Sequence, residues 1–128
     1  MQNAPGGAPD KGCTPSEYST WPEQRTLRAD FVRTVLTSPE LAKNPVRGTF
    51  EFRCAAIAGQ LTLDNLNISV SVWIDDSALP NGADLYQSKV DGSFTFDGSF
   101  FGDSGINANS IIARDRFGLD DATLKWVT

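Results

Sequence analysis

The sequence predicts a mainly β protein, a parallel β-helix (solenoid) of about three to four coils with an N-terminal amphipathic capping helix. Three observations carry this. Apolar pairs two residues apart recur about every eleven residues from Phe50 onward. Gly, Asn, Asp and Ser cluster between the pairs. Upstream of Phe50 the apolar spacing is three and four residues instead of two.

The first residues, Met-Gln-Asn-Ala-Pro-Gly-Gly-Ala-Pro, hold neither a basic start nor an apolar run of signal-peptide length, so the expected location is cytoplasmic. Residues 1–19 are rich in Gly, Pro, Asn and Ser and read as a flexible tail. Thr20-Trp21-Pro22-Glu23 fits a capping box. A helix is expected from Trp21 to Leu36, with Leu27, Phe31, Val32, Val35 and Leu36 as its apolar stripe. Ser38-Pro39 and Asn44-Pro45 bracket a short connection, so residues 20–45 form a capping unit and 46–128 the repeat domain.

The pairs are Phe50/Phe52, Leu61/Leu63, Val72/Ile74, Ala83/Leu85, Phe94/Phe96, Ile106/Ala108 after a one-residue slip, and Phe117/Leu119. Each i, i+2 pair sets two side chains on one face of a short extended segment. Pro80-Asn81-Gly82, Asp97-Gly98-Ser99 and Gly102-Asp103-Ser104-Gly105 supply corners. An antiparallel sandwich also repeats strands every 8 to 12 residues, but it alternates over five or six positions, whereas only two per segment are regular here. Stacked parallel coils need only such short inward segments. Two eleven-residue units per coil give 22 residues, a stack about 16 Å tall at roughly 4.8 Å per coil, and two ends to be covered. The helix serves the first end; the other, at Leu124 and Trp126, is expected to be either an end-to-end interface for a homodimer or a cut where a longer protein continues.

Ala83-Asp84-Leu85-Tyr86-Gln87 has the form Ala-(Asp/Asn)-Leu-x-x, and Ala122-Thr123-Leu124-Lys125 follows it loosely. On these residues the chain resembles the pentapeptide-repeat proteins, in degenerate form, since Phe50, Leu61, Val72 and Phe94 stand where that family has a small residue. The resemblance covers roughly residues 48 to 125. It implies a right-handed, four-sided β-helix and a bacterial setting, and it allows imitation of DNA toward topoisomerases. It is also similar to repeats in large bacterial proteins, some labelled membrane-associated oxidoreductases, although no cofactor motif supports that label here.

The chain has 128 residues, of which 40% are apolar, enough for one domain that buries roughly two thirds of its unfolded surface. It contains no histidine, which weakens most hydrolase and metal-site readings. Gly102-Asp103-Ser104-Gly105 therefore reads as a turn and not as a protease nucleophile. Cys13 and Cys54 fit neither a disulfide framework nor a metal motif, and Cys54 reads as a small core residue. Asp75-Asp76 and Asp120-Asp121 read as solvated corners because neighbouring strand residues face opposite ways. The set Asp103, Asn107 and Asn109 lacks the glycine and terminal glutamate of a calcium loop, and Asn ladders at the corners account for it better. Trp73, between two inward residues, should point outward. No enzyme activity, cofactor or metal is expected.

The net charge is −5, which disfavours direct contact with nucleic acid or a membrane and favours a protein partner. Residues 54–113 hold seven aspartates against Lys89 alone. That is about one charge per 2.2 Å of stack, near the roughly 1.7 Å of duplex DNA. The expected function is a protein-interaction or scaffold module. The alternative is a DNA mimic in the basic groove of a nucleic-acid-binding enzyme, with Asp64, Asp75, Asp76, Asp84, Asp91 and Asp97 as the acidic face.

Overall fold

The computed structural model describes residues 13–38 and 49–128. Among the described residues the strands are β1 (Thr26–Arg28), β2 (Thr49–Arg53), β3 (Ala56–Ala58), β4 (Leu61–Thr62), β5 (Asn67–Ile68), β6 (Ser71–Asp75), β7 (Ala83–Asp84), β8 (Lys89–Val90), β9 (Phe94–Thr95), β10 (Ile106–Asn107), β11 (Ile112–Ala113) and β12 (Phe117–Gly118). Every pairing between them is parallel. They stack as a four-sided solenoid: β2-β6-β9-β12 on one side, β4-β7-β10 on the opposite one and β5-β8-β11 on a third. The fourth side begins with β1-β3 and continues through single bridges from Ala56 to Ala78, Phe100 and Thr123.

The register makes the coil length explicit. Phe50 lies over Val72 and Val72 over Phe94, 22 residues apart, whereas Phe94 lies over Phe117 and Ala83 over Ile106, 23 apart. The extra residue falls between Phe100, still in the 22-residue register, and Ile106. Ser104 there donates its hydroxyl to Pro80 O at 2.7 Å, so Gly102-Asp103-Ser104-Gly105 is a turn that absorbs the slip.

Members of all seven expected pairs line the interior or pack against it. Val72, Ile74, Leu61, Leu63, Leu85, Phe94 and Phe96 are fully enclosed. The two remaining sides add Ile57, Leu79 and Phe101, and Ile68 and Val90. Phe96 joins Phe94, Phe101 and Phe117 at ring distances of 5.1, 5.4 and 6.4 Å, contacts worth about 0.5–1.5 kcal/mol each beyond area burial. Trp73 points outward, as expected.

The first end is covered, but by a shorter helix than the sequence suggests. Helix α1 spans Ala29–Leu36 and lies over β4, burying Ala29, Val32 and Leu36. Val32 and Leu36 contribute about 1.5–3 kcal/mol each. Arg33 donates to the edge carbonyl of Thr62 at 2.7 Å, satisfying an acceptor on the side of β4 that no described strand pairs. No capping box forms, because Trp21 and Pro22 are extended (ψ 153° and 147°) and the Thr20 hydroxyl donates back to Glu17 O at 2.7 Å. Leu27 belongs to β1, and Phe31 is half exposed. Of the expected tail, residues 1–12 lie outside the described part, as do Pro39, Asn44 and Pro45, while Pro15–Thr20 form a 3-10 helix.

The two cysteines depart from what the sequence leads one to expect. Cys13 and Cys54 form a disulfide, with Cα atoms 5.4 Å apart. Cys54 is a corner residue with φ +57° and not a core residue. The solenoid returns it to the N-terminal segment, a proximity that a 41-residue separation conceals. Closing a loop of that length raises the free energy of the unfolded chain by about 4 kcal/mol in the chain-entropy account.

Because Leu85 is fully enclosed and Tyr86 is exposed, Leu85→Asp should abolish cooperative folding, a loss above about 4 kcal/mol, whereas Tyr86→Asp should cost about 1 kcal/mol or less. Chemical denaturation followed by circular dichroism checks both.

Candidate functional site

The corner after β2, β6, β9 and β12 repeats one conformation. Cys54, Asp76, Gly98 and Asp121 all have positive φ there, at 57°, 50°, 72° and 59°. Gly98 answers a second demand: a Cβ at that position would lie 2.3 Å from the Asp76 carboxylate of the coil above. The left-handed turn also overturns the argument that neighbouring aspartates must diverge. Asp75 and Asp76 both line one shallow groove, together with Glu51, Arg53, Trp73, Asp97, Asp120 and Asp121.

The carboxylates of this corner are largely engaged in holding the stack. Asp75 Oδ1 accepts from the Thr95 hydroxyl at 2.8 Å and from the Asp97 N–H at 3.1 Å. Asp97 Oδ1 accepts from the Asp120 N–H at 2.9 Å, one coil further on. Beside this column runs a buried serine ladder: Ser77 Oγ accepts from Ala55 N–H at 3.2 Å, and Ser99 Oγ accepts from Ser77 N–H at 3.1 Å. Ser99 in turn donates to Ile74 O at 2.8 Å, and buried Ser88 donates to Leu63 O. The ladders are built of aspartate and serine, where asparagine was expected; Asn107 only accepts from Asn109 N–H and the Thr128 hydroxyl.

The six aspartates expected to form one acidic face do not share one. Asp75, Asp76 and Asp97 meet at the groove. Asp84 lies on β7, where its Oδ1 accepts from Tyr86 N–H at 3.0 Å. Asp64 sits beyond β4 and accepts from the Asn65 amide at 3.3 Å, and Asp91 follows β8. Three of the six face arginines: Arg53 to Asp76 at 2.7 Å, Arg114 to Asp91 at 2.6 Å and Arg116 to Asp97 at 3.2 Å, with Arg116 also reaching Asp120 at 2.8 Å. Such exposed pairs add little stability, but they dilute the negative charge. Residues 53, 114 and 116 flank the acidic stretch in sequence, and the coils bring them beside it.

The other candidate residues, Leu124 and Trp126, lie on the last coil. Leu124 packs against the core from that side, and Trp126 is 45% exposed, with Val127 (48%) and Ile112 (58%) also in solvent. The Trp126 carbonyl accepts from Ile106 N–H at 3.0 Å. Among the described residues no strand pairs with the outer edges of β11 and β12. Residues 106–128 carry Arg114, Arg116 and Lys125 against Asp115, Asp120 and Asp121, so this end is neutral on a chain of net −5.

No protein-family model matches the chain, and no curated protein or solved structure matches it. Among the described residues there is no group of three or more metal-ligating His, Cys, Asp or Glu side chains, and no helix long and apolar enough to cross a membrane.

Partial burial raises the Asp75 carboxyl above its ordinary 3.8, opposed by the Thr95 hydrogen bond and reinforced by the charge of Asp97. A carboxyl raised on folding favours the folded state fully below its unfolded pKa, and that contribution disappears as pH rises through the raised value. Asp75→Asn keeps the Oδ1 acceptor without the charge. It should stabilise the protein at neutral pH, and the advantage should vanish toward about pH 3. Asp75→Ala strips the acceptor from Thr95, which is 3% exposed, and should cost about 1–3 kcal/mol. Denaturant midpoints at the two pH values separate these outcomes.

Proposed function

We propose that this solenoid is a non-enzymatic protein-interaction or scaffold module whose working surface is the last coil, and that its partner there is a second copy of the same chain. The observation that carries this is the combination, at one end, of exposed Trp126, Val127 and Ile112 with strand edges that no described residue pairs. Unpaired backbone groups of that geometry are best satisfied by another β edge. Charge permits a copy of the chain there: residues 106–128 are neutral, as are residues 1–45, so two molecules of net −5 repel less at this end than along the aspartate-rich residues 54–105. The polar groups that converge elsewhere, at Asp75, Asp97, Ser77 and Ser99, are already committed to the backbone of the next coil.

The DNA-mimic alternative draws on the stacked carboxylates of Asp75, Asp97 and Asp120, but the arginine pairs at Asp76, Asp91 and Asp97 weigh against it. Kinship with pentapeptide-repeat proteins is compatible with the four-sided coil and remains part of this proposal. The Cys13–Cys54 crosslink favours an oxidising compartment over the reducing cytoplasm expected from the sequence.

Light scattering should find a dimer at about 100 μM protein that survives about 0.5 M salt. Trp126→Glu should give a monomer with an unchanged circular dichroism spectrum. A monomer at all concentrations overturns the self-association reading. Binding to a basic nucleic-acid-binding protein that collapses between about 50 and 200 mM salt, and that needs Asp64 and Asp84, would favour mimicry instead.

A further inference from the structure

The segment from Cys13 to Arg25 belongs to no coil, yet it follows the outside of the fourth side of the solenoid. It is bonded at Cys13 to Cys54, a corner just before β3. Five residues on, the Tyr18 ring lies 6.4 Å from that of Phe100, two coils away on the same side. By Thr26 the chain has returned to pair with Ala56. The outer surface beneath it is apolar. Ile57, Leu79 and Phe101 point into the core, so their neighbours Ala56, Ala78 and Phe100 face the other way. Ala78 is nevertheless completely buried.

What fastens this segment differs from what fastens the coils. Its backbone bonds close its own turns: Glu17 N–H to Thr14 O, Trp21 N–H to Tyr18 O and Arg25 N–H to Pro22 O. No residue of its two 3-10 helices is buried. The coils, in contrast, are tied to one another by bonds such as Val72 N–H to Ser93 O and Phe94 N–H to Arg116 O, both 2.8 Å, which do not involve the segment.

We infer that residues 13–25 are a strap latched by the Cys13–Cys54 disulfide, and that the latch is redox-sensitive. Reduction frees the strap and opens the surface around Ala78 and Phe100, while the coils stay stacked. The reductant is a dithiol. Its thiolate attacks one Sγ of the pair, the S–S bond breaks, and the other cysteine leaves as a thiolate that takes up a proton. The reductant's second thiol then displaces the first cysteine, which is protonated in turn, and the reductant departs as a disulfide. Two electrons pass from reductant to protein.

Hydrogen exchange followed by NMR on the whole chain, with and without a soluble dithiol, tests the inference. Reduction should speed exchange at the Glu17, Trp21 and Arg25 amides by about tenfold or more, while Val72 and Phe94 keep the protection of a folded core, although loss of the crosslink's effect on the unfolded chain speeds them too. Cys13→Ser should reproduce the reduced pattern without reductant. Unchanged strap amides would mean that packing alone holds the segment. Loss of protection at strap and coil amides together would make the crosslink a staple of the whole fold. Either result overturns the inference.

Discussion

Strands of two residues have no stability of their own, so this protein depends on hydrogen bonds from each coil to the next. Leu63 N–H to Asp84 O at 2.8 Å and Leu85 N–H to Asn107 O at 2.7 Å are typical. Parallel stacking at about 4.8 Å sets each residue above the one a coil away. That constraint accounts for the core: a column that is apolar in one coil must be apolar in the next, as in Phe50, Val72, Phe94 and Phe117. It also accounts for the corners, since a left-handed residue in one coil forces one in its neighbour, as in Asn65, Gln87 and Ser110.

The same constraint governs the charges. Stacking repeated aspartates brings carboxylates close together, and the protein converts this repulsion into structure by aiming Asp75 and Asp97 at the backbone N–H groups of the following coil. Arginines one coil away neutralise part of what is left. The outer surface is thus less like a uniform anionic rod than the composition suggests. The coil whose edges no described strand pairs carries no net charge, and the proposed interface follows from that coincidence.

The solenoid was legible because two of its four sides carry an apolar pair in every coil, from Phe50/Phe52 to Phe117/Leu119. The other two sides were not, since they present single inward residues such as Ile57, Ile68, Leu79 and Val90 next to buried serines that look like loop. Trp73 could be placed from its neighbours. The helix was overextended because Leu27 fits a helical stripe as well as it fits β1, and local spacing alone does not separate the two. Asp75 and Asp76 were expected to diverge because strand alternation does not foresee the left-handed turn at Asp76. The ion pairs and the disulfide depend on coil geometry: Asp91 and Arg114 are 23 residues apart, Cys13 and Cys54 41.

The central claim is that each strand pairs with the one a full coil away. Through-hydrogen-bond scalar couplings in the NMR spectrum of labelled protein report this pairing directly. The account predicts couplings from Leu63 N–H to the Asp84 carbonyl, from Leu85 N–H to Asn107 and from Val72 N–H to Ser93. Couplings that instead join these amides to strands within about a dozen residues, as in a meander of hairpins, would contradict it.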